Sequence, residues 1–424
     1  MKCLKINGGR KLKGSIDVHG AKNSILPVLC ATVLINGKSV IHNCPTLSDV
    51  EVTVNILRYL GANVSREGNT LIVDATSISR SNILEPQMKE LRSSIIFLGA
   101  LASRTGQACL YLPGGCDIGL RPIDLHLKGL KALGYEVFTD GHNVCATRRD
   151  VIGKEIVLPF PSVGATENII LASVLAKGTT TIVNAAREPE IEDLADFLNK
   201  AGARIYGTST PTITIEGVNE LNGAEHTVIP DRILATTLMS ACAITGGRIQ
   251  LNNVCMPHIM PTLPVFDEMG CDVSYNYSSV KIKAPNRLKR VKSIETMAYP
   301  GFPTDCQAPV MSALCVADGT SIIKETIFEN RFKHIEQLNL FGADISVNDR
   351  IAVVNGVNSL HSANAKCTDL RGGAAVVIAG LSAEGESTIT DIQHIDRGYE
   401  NIEHQLSLLN ADVKRIDDEK QQIK

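Results

Sequence analysis

A short tag recurs six times along the chain, as "LRYLGANV", "LKALGYEV", "LNKAGARI", "FDEMGCDV", "LNLFGADI" and "LSLLNADV". Its anchors are Gly61, Gly134, Gly202, Gly270, Gly342 and Asn410, a period of roughly 70 residues, so the chain reads as one supersecondary unit repeated. In each copy an amphipathic segment ends at Gly or Asn, the residues that tolerate the left-handed conformation closing a helix, and a β-branched strand follows. Upstream in each unit lies a second helical segment that is apolar on nearly every face, as in "ATENIILASVLAKG", "QAPVMSALCVADG" and "GGAAVVIAGLSAEG". A helix apolar all round has to be buried all round. Three units can share one core with these helices inside and sheets outside, so six units predict two α/β domains. The second trio starts near "VIPDRILATT", whereas the first apolar helix starts at Lys22; the N-terminal stretch "CLKINGGRKLKGSIDV" is therefore free to complete the second domain.

Charge narrows the partners. Across 424 residues, 42 Lys and Arg stand against 45 Asp and Glu, a balance unsuited to a nucleic acid backbone or an anionic membrane as main partner. The start "MKCLKINGGRKLKG" has no apolar core of a secretory signal, and the longest apolar runs are about half a membrane span. Twelve cysteines are scattered with no C-x-x-C pair and no zinc spacing, which predicts no metal site, no disulfide framework and mostly buried, reduced thiols in a cytoplasmic protein.

The polar residues that break the repeat collect at the starts of the apolar helices, in "GAKNS", "LRSS", "PSVGAT", "PDR", "FPTDC" and "TDLRGG". For Ser162, Thr304, Thr368 and Asp231, capping of orphan N–H groups is as good a reading as function. It does not account for Lys22, Arg92 or Arg371, since a cation at a helix start opposes the macrodipole. A cation there suits a site that also holds an anion, bound by the side chain and the free amides together. Arg121, Arg187, Arg331 and Arg397 sit near the starts of the amphipathic helices and add groups that bind phosphate or carboxylate in bidentate fashion. Cys116 lies in "PGGCDIGLRP", beside two glycines and five residues before Arg121, a setting for a nucleophile, a general acid or a redox-sensitive thiol. His126, on the following helix, reads as a solvated residue, so no Cys/His pair is expected.

Taken together, "GAKNS", "PGGCDIGLRPIDLH", "PSVGAT", "NAAREPEI", "IPDR", "GFPTD", "ETIFENRF", "TDLR" and "HIDRGYE" resemble the UDP-N-acetylglucosamine 1-carboxyvinyltransferases, enolpyruvyl transferases related to 5-enolpyruvylshikimate-3-phosphate synthase. The resemblance runs from the first strand to the last unit. It implies two inside-out α/β barrel domains of three repeats each, residues 22–229 and residues 1–21 with 230–424, with the active site in the cleft between them. It implies transfer of the enolpyruvyl group of phosphoenolpyruvate to the 3′-hydroxyl of UDP-N-acetylglucosamine with release of phosphate, the first committed step of peptidoglycan synthesis. Cys116 would protonate the donor and Asp305 would take the proton of the sugar hydroxyl. Lys22, Asn23, Arg121 and Arg397 would bind phosphoenolpyruvate. Arg92, the run Arg121, Pro122, Ile123, Asp124 and Leu125, then Ser162, Val163, Gly164, Asp305 and Ile327 would bind the UDP-sugar. Arg331, Asp369 and Arg371 match further positions of the same cleft, and Phe160 stands where some members carry Lys. No metal or organic cofactor is implied, and the epoxide fosfomycin would alkylate Cys116. The "PGGC" loop and "SVGAT" separate the chain from the shikimate enzyme, whose "GNAGTAMRPL"-type run is not found; a repeat-built scaffold would repeat its polar residues evenly, whereas Lys22, Cys116 and Asp305 each occur in one unit only.

Overall fold

The computed structural model describes residues 2–83, 94–111 and 123–417. All six tag anchors, Gly61, Gly134, Gly202, Gly270, Gly342 and Asn410, have positive φ between 74° and 112° and turn the chain out of a helix. That is why the tag ends in Gly or Asn: a Cβ-bearing residue pays steric energy in this region, least for Asn.

The principal helices alternate between two kinds. The central ones are α1 (Lys22–Ala31), α3 (Phe97–Thr105), α5 (Val163–Ser173), α7 (Arg232–Ile244), α9 (Thr304–Leu314) and α11 (Leu370–Ser382); the outer ones are α2 (Ser48–Leu60), α4 (Asp124–Leu133), α6 (Pro189–Lys200), α8 (Leu263–Glu268), α10 (Ile335–Asn339) and α12 (Ile402–Leu408). The central helices are buried nearly throughout; α7 is buried at every position. The outer helices bury one stripe, as the sequence pattern requires.

The described strands form six four-stranded sheets with one shared plan. A short strand before a central helix pairs parallel with the strand after it, which pairs antiparallel with the last strand of the unit, and that with the strand after the outer helix. Alternating burial along the strands, such as exposed Thr179 and Thr181 half-buried around buried Thr180 and Ile182, shows one face turned to the helices. The sheets stay separate and do not close into one continuous barrel.

The described residues divide into two compact units, those between 20 and 229 and those of 2–19 with 230–417. Each is closed by a strand distant in sequence. In the first, Glu225–Thr227 pairs parallel with Lys38–His42. In the second, Lys2–Asn7 lies between Glu386–Thr390 and Asp412–Asp417, and Lys13–Asp17 pairs with Arg248–Asn252. Each unit has its own apolar core. No helix among the described residues is long and apolar enough to cross a membrane.

Of the described free thiols all but Cys255 are buried, as expected. One pair departs from the expectation of reduced thiols: Cys109 and Cys145 lie directly opposite on antiparallel strands, Cα atoms 4.1 Å apart, and are joined as a disulfide. Strand register, invisible in the spacing of the cysteines, brings them together.

Candidate active site

The polar residues singled out in the sequence fall into two groups, one in each unit. In the second unit the starts of α7, α9 and α11 carry them. Asp231 caps α7, its Oδ1 accepting from the amides of Ile233 (2.8 Å) and Leu234 (2.9 Å). Asp369 caps α11 in the same way, accepting from Arg371 (3.0 Å) and Gly372 (3.1 Å). Capping is thus a real part of what these two residues do. Thr304 does not cap: it opens α9, and its hydroxyl donates to Glu325 Oε2 at 2.9 Å. Thr368 instead donates to Asp369 Oδ2 at 3.2 Å.

Asp305, on the first turn of α9, is held from two sides. Arg331 Nη2 donates to its Oδ1 at 2.6 Å and Arg371 Nη2 to its Oδ2 at 3.1 Å. Both arginine side chains are almost fully buried, at 4% and 3% exposure, while Asp305 keeps 25%. Two desolvated guanidinium groups converging on one carboxylate fix its orientation and leave it the accessible member of the cluster. Arg371 is backed by the buried Tyr399, its guanidinium 5.4 Å from the ring centroid, and Tyr399 is in turn hydrogen-bonded to Thr237 at 3.0 Å. Fully buried His334 packs near Asp369 and Arg331; burial pushes its pKa down to about 4, with the Arg331 cation adding to the fall and Asp369 opposing it. Ile327 lies in a turn whose amides, its own and that of Phe328, donate to buried Glu325 at 2.8 and 3.1 Å. Arg397 is half-buried in the turns before α12.

In the first unit Lys22 and Asn23 open α1. The sequence left open which anion answers a cation at a helix start. For Lys22 it is partly the protein's own: Nζ lies 2.8 Å from Asp49 Oδ2 at the start of α2, with both side chains below 10% exposure. For Arg371 it is Asp305. Ile123, Asp124 and Leu125 lead into α4, and Ser162, Val163 and Gly164 form the start of α5, where Ser162 Oγ accepts from the amide of Ala165 at 3.4 Å. Arg92, Cys116, Arg121 and Pro122 lie outside the described residues.

His126 is a correction. It is not solvated: only 7% exposed, it packs from α4 against α5, and a Cβ at Gly164 would come within 3.1 Å of its Cε1. Its Nδ1 lies 3.0 Å from the amide nitrogen of buried Asn168, which also donates to the Ile95 carbonyl at 3.1 Å. Burial lowers its pKa to about 4. A lone His on an amphipathic helix gives no sign of this, because groups that bury it, Gly164 and Asn168, come from the next repeat. Asp49, Glu325, Tyr399 and Asn168 were likewise missed; Asp49 and Asn168 lie within helices, Glu325 just after a strand and Tyr399 in the turns before α12, and only the fold assigns each a partner.

The buried central helices, with the partly exposed carboxylate of Asp305 held between two buried arginines and a buried lysine at another helix start, define an α/β protein that gathers charged groups at the starts of its central helices. The chain belongs to the EPSP synthase (3-phosphoshikimate 1-carboxyvinyltransferase) family, whose model matches residues 6–406, and so to the enolpyruvyl transferases. Within it the chain is 51% identical over 414 residues to the UDP-N-acetylglucosamine 1-carboxyvinyltransferase 2 of Caldanaerobacter subterraneus subsp. tengcongensis, covering 97% of this chain and 99% of that one. It is 46% identical to the UDP-N-acetylglucosamine 1-carboxyvinyltransferase of Finegoldia magna, covering 98% and 99%. Among solved structures, the enolpyruvyl transferase NikO from Streptomyces tendae superposes with a TM-score of 0.89 at 24% identity over 98% of both chains, and an EPSP synthase from Acinetobacter baumannii with 0.75 at 18% over 98% and 100%. These two establish the fold: the enolpyruvyl transferase architecture that the family resemblance implies, in line with the two α/β domains read from the repeats.

Proposed function

We propose that this enzyme transfers the enolpyruvyl group of phosphoenolpyruvate to the 3′-hydroxyl of UDP-N-acetylglucosamine and releases phosphate, opening peptidoglycan synthesis. The observation that carries the reading is near-full-length identity of 46–51% to transferases named for that acceptor. The chemistry is addition followed by elimination. C3 of phosphoenolpyruvate takes a proton from Cys116, and the sugar oxygen bonds to C2 as Asp305 takes the hydroxyl proton. The C2–O bond to phosphate then breaks, C3 loses a proton, and the double bond is restored on the product.

The charged residues fit these demands. Lys22, Asn23, Arg121 and Arg397 bind the donor's phosphate and carboxylate and stabilise charge as it moves between them. Arg92, Arg121 to Leu125, Ser162 to Gly164 and Ile327 hold the nucleotide sugar. Arg331 and Arg371 keep Asp305 aimed, as their 2.6 and 3.1 Å contacts support. Residues 22–229 form one domain of the family and residues 1–21 with 230–424 the other, and the enzyme works in the cytoplasm. Fosfomycin acts as a covalent inhibitor at Cys116.

Phosphate release from phosphoenolpyruvate tests the reading directly. Release is expected with UDP-N-acetylglucosamine and not with shikimate 3-phosphate. Release with the shikimate alone would move the protein to the other branch of the family, and release with neither would remove the assignment.

A further inference from the structure

Glu325 is a buried carboxylate that the chemistry above leaves unused. It follows the strand Thr320–Lys324 and is 1% exposed. Among the described residues its donors are four uncharged groups. Oε1 accepts from the Thr296 hydroxyl at 2.9 Å and from the amides of Ile327 and Phe328 at 2.8 and 3.1 Å. Oε2 accepts from the Thr304 hydroxyl at 2.9 Å. The Thr296 oxygen in turn accepts from the Thr326 amide at 2.9 Å, so its own proton is directed to Glu325. A carboxylate accepts at both oxygens and donates at neither, and so satisfies all four donors at once.

The two oxygens face different elements. Oε2 reaches Thr304, the first residue of α9 and the neighbour of Asp305. Oε1 reaches the turn that carries Ile327 and runs on to Arg331. Arg331 closes the path: its guanidinium stands 5.5 Å from the centroid of the Phe328 ring, and its Nη2 donates to Asp305 Oδ1 at 2.6 Å and to the Thr304 carbonyl at 3.4 Å. The contacts thus form a closed ring, from Glu325 through the turn to Arg331, on to Asp305 and Thr304, and back. Hydrogen bonds to a buried, charged acceptor hold both sides of the ring in one geometry. Cutting it at Thr304 releases the start of α9 from the turn and leaves the turn itself held.

We propose that Glu325 is a positioning residue for the acceptor: it fixes where Asp305 stands relative to Ile327, so that the carboxylate of Asp305 meets the sugar hydroxyl while the turn holds the nucleotide sugar. This rests on the UDP-sugar reading for the roles of Asp305 and Ile327. Glu325 acts through Thr304 on one side and the amides of the turn on the other. A base has to stand within hydrogen-bond reach of the proton it takes, and a misplacement of about 1 Å costs about a hundredfold in rate.

Removing Glu325 would strip four donors of their acceptor and mix folding with function, so the test cuts one bond. Thr304→Val keeps the shape of a half-buried side chain and loses only its hydroxyl. In the full chain, kcat for phosphate release, corrected for the folded fraction, should fall by about tenfold to a hundredfold. The KM for UDP-N-acetylglucosamine should stay unchanged, because Oε1 still holds the turn. Thr304→Ser restores the hydroxyl and should recover most of the turnover. Ile6→Ala removes core volume elsewhere in the same unit, reports the effect of lost stability alone, and should keep the wild-type kcat per folded molecule. Wild-type kcat in T304V, a loss no greater than that of I6A, a change in KM alone, or no recovery in T304S would each overturn the proposal. Wild-type turnover with UDP-N-acetylglucosamine is read first: its absence removes the acceptor reading and the proposal with it, whereas its presence beside any of those four results removes the role of Glu325 alone.

Discussion

Asp305 is the residue whose surroundings most constrain its role, because each oxygen already accepts from a buried guanidinium. Asp305→Asn replaces one acceptor by a donor facing Arg331 or Arg371, and removes the proposed base. Turnover is expected to fall by about 10²–10⁴-fold, with folding weakened as two buried cations lose their counter-charge. Phosphate release and a denaturant titration measure the two effects; a variant with unchanged kcat would end the role of Asp305 as base. The thiols make a second residue-level prediction. Cys306 and Cys315 are buried and their pKa values are pushed up to about 12, chiefly by desolvation, so neither forms the reactive thiolate. Fosfomycin should therefore label Cys116 alone. Cys116→Asp should escape the label and keep activity, since a carboxylic acid can also deliver a proton, while Cys116→Ser should lose most of it. Label found by peptide mapping on another cysteine would contradict this. At this scale the sequence was legible where a residue broke the repeat, as Lys22, Asp305 and Arg371 do. It was silent on Asp49 and pointed the wrong way for His126, whose meaning lies in partners dozens of residues away.

The start of α1 shows what an element contributes. Its first turn is gripped by acids from two outer helices: Lys22 by Asp49 of α2, and Ser24 by Asp193 of α6, to which its hydroxyl donates. Asp193 Oδ1 is also 2.9 Å from His226 Nε2, and His226 Nδ1 is 3.2 Å from Lys200 Nζ. Ser24, Asp193 and His226 are all buried, so the chain of contacts is shielded from solvent until Lys200. Breaking it should loosen the turn that presents Lys22 and Asn23. Asp193→Asn is expected to cost about 3–5 kcal/mol of stability and Ser24→Ala about 1–3 kcal/mol. Both should raise the KM for phosphoenolpyruvate more than that for the UDP-sugar. Their effects should also be non-additive, because each removes the same contact. Strict additivity, or equal changes for both substrates, would show that the network stabilises the fold without positioning the site.

For the whole molecule, two histidines buried as neutral rings make acid stability predictable. An ordinary imidazole takes its proton near 6.5, whereas His126 and His334 do so in the fold only near 4. Between those values the unfolded chain binds more protons, so folding stability falls as pH drops from about 6.5 toward 4 and is fully restored above that window. Each ring contributes up to about 3 kcal/mol. Urea midpoints at pH 7 and pH 5 should therefore differ less in His126→Gln and His334→Asn than in the wild type; an undiminished difference would assign the acid sensitivity to other groups. The N-terminal strand is a second test at this scale. Leu4 and Ile6 are fully buried in a sheet whose other strands come from the far end of the chain. Ile6→Ala should cost about 2–5 kcal/mol and should destabilise the unit containing residues 230–417, not the one from residue 20 to 229. Hydrogen exchange resolved by segment decides it.

The sequence by itself determined the local grammar: where helices end, which helices are buried, and that one unit is used six times. These follow from short-range physics, since a positive φ selects Gly or Asn and an apolar circumference requires burial on every side. It also marked the cations at helix starts as out of place for stability alone. Only the tertiary structure decided which partner meets each of them. Asp49 opposite Lys22, the two arginines on Asp305, the disulfide between Cys109 and Cys145, and the contact of His126 with Asn168 all depend on which strands share a sheet and which helices share a core. Contacts across 20 to 70 residues are set by sheet register and helix packing, and neither spacing nor composition records them.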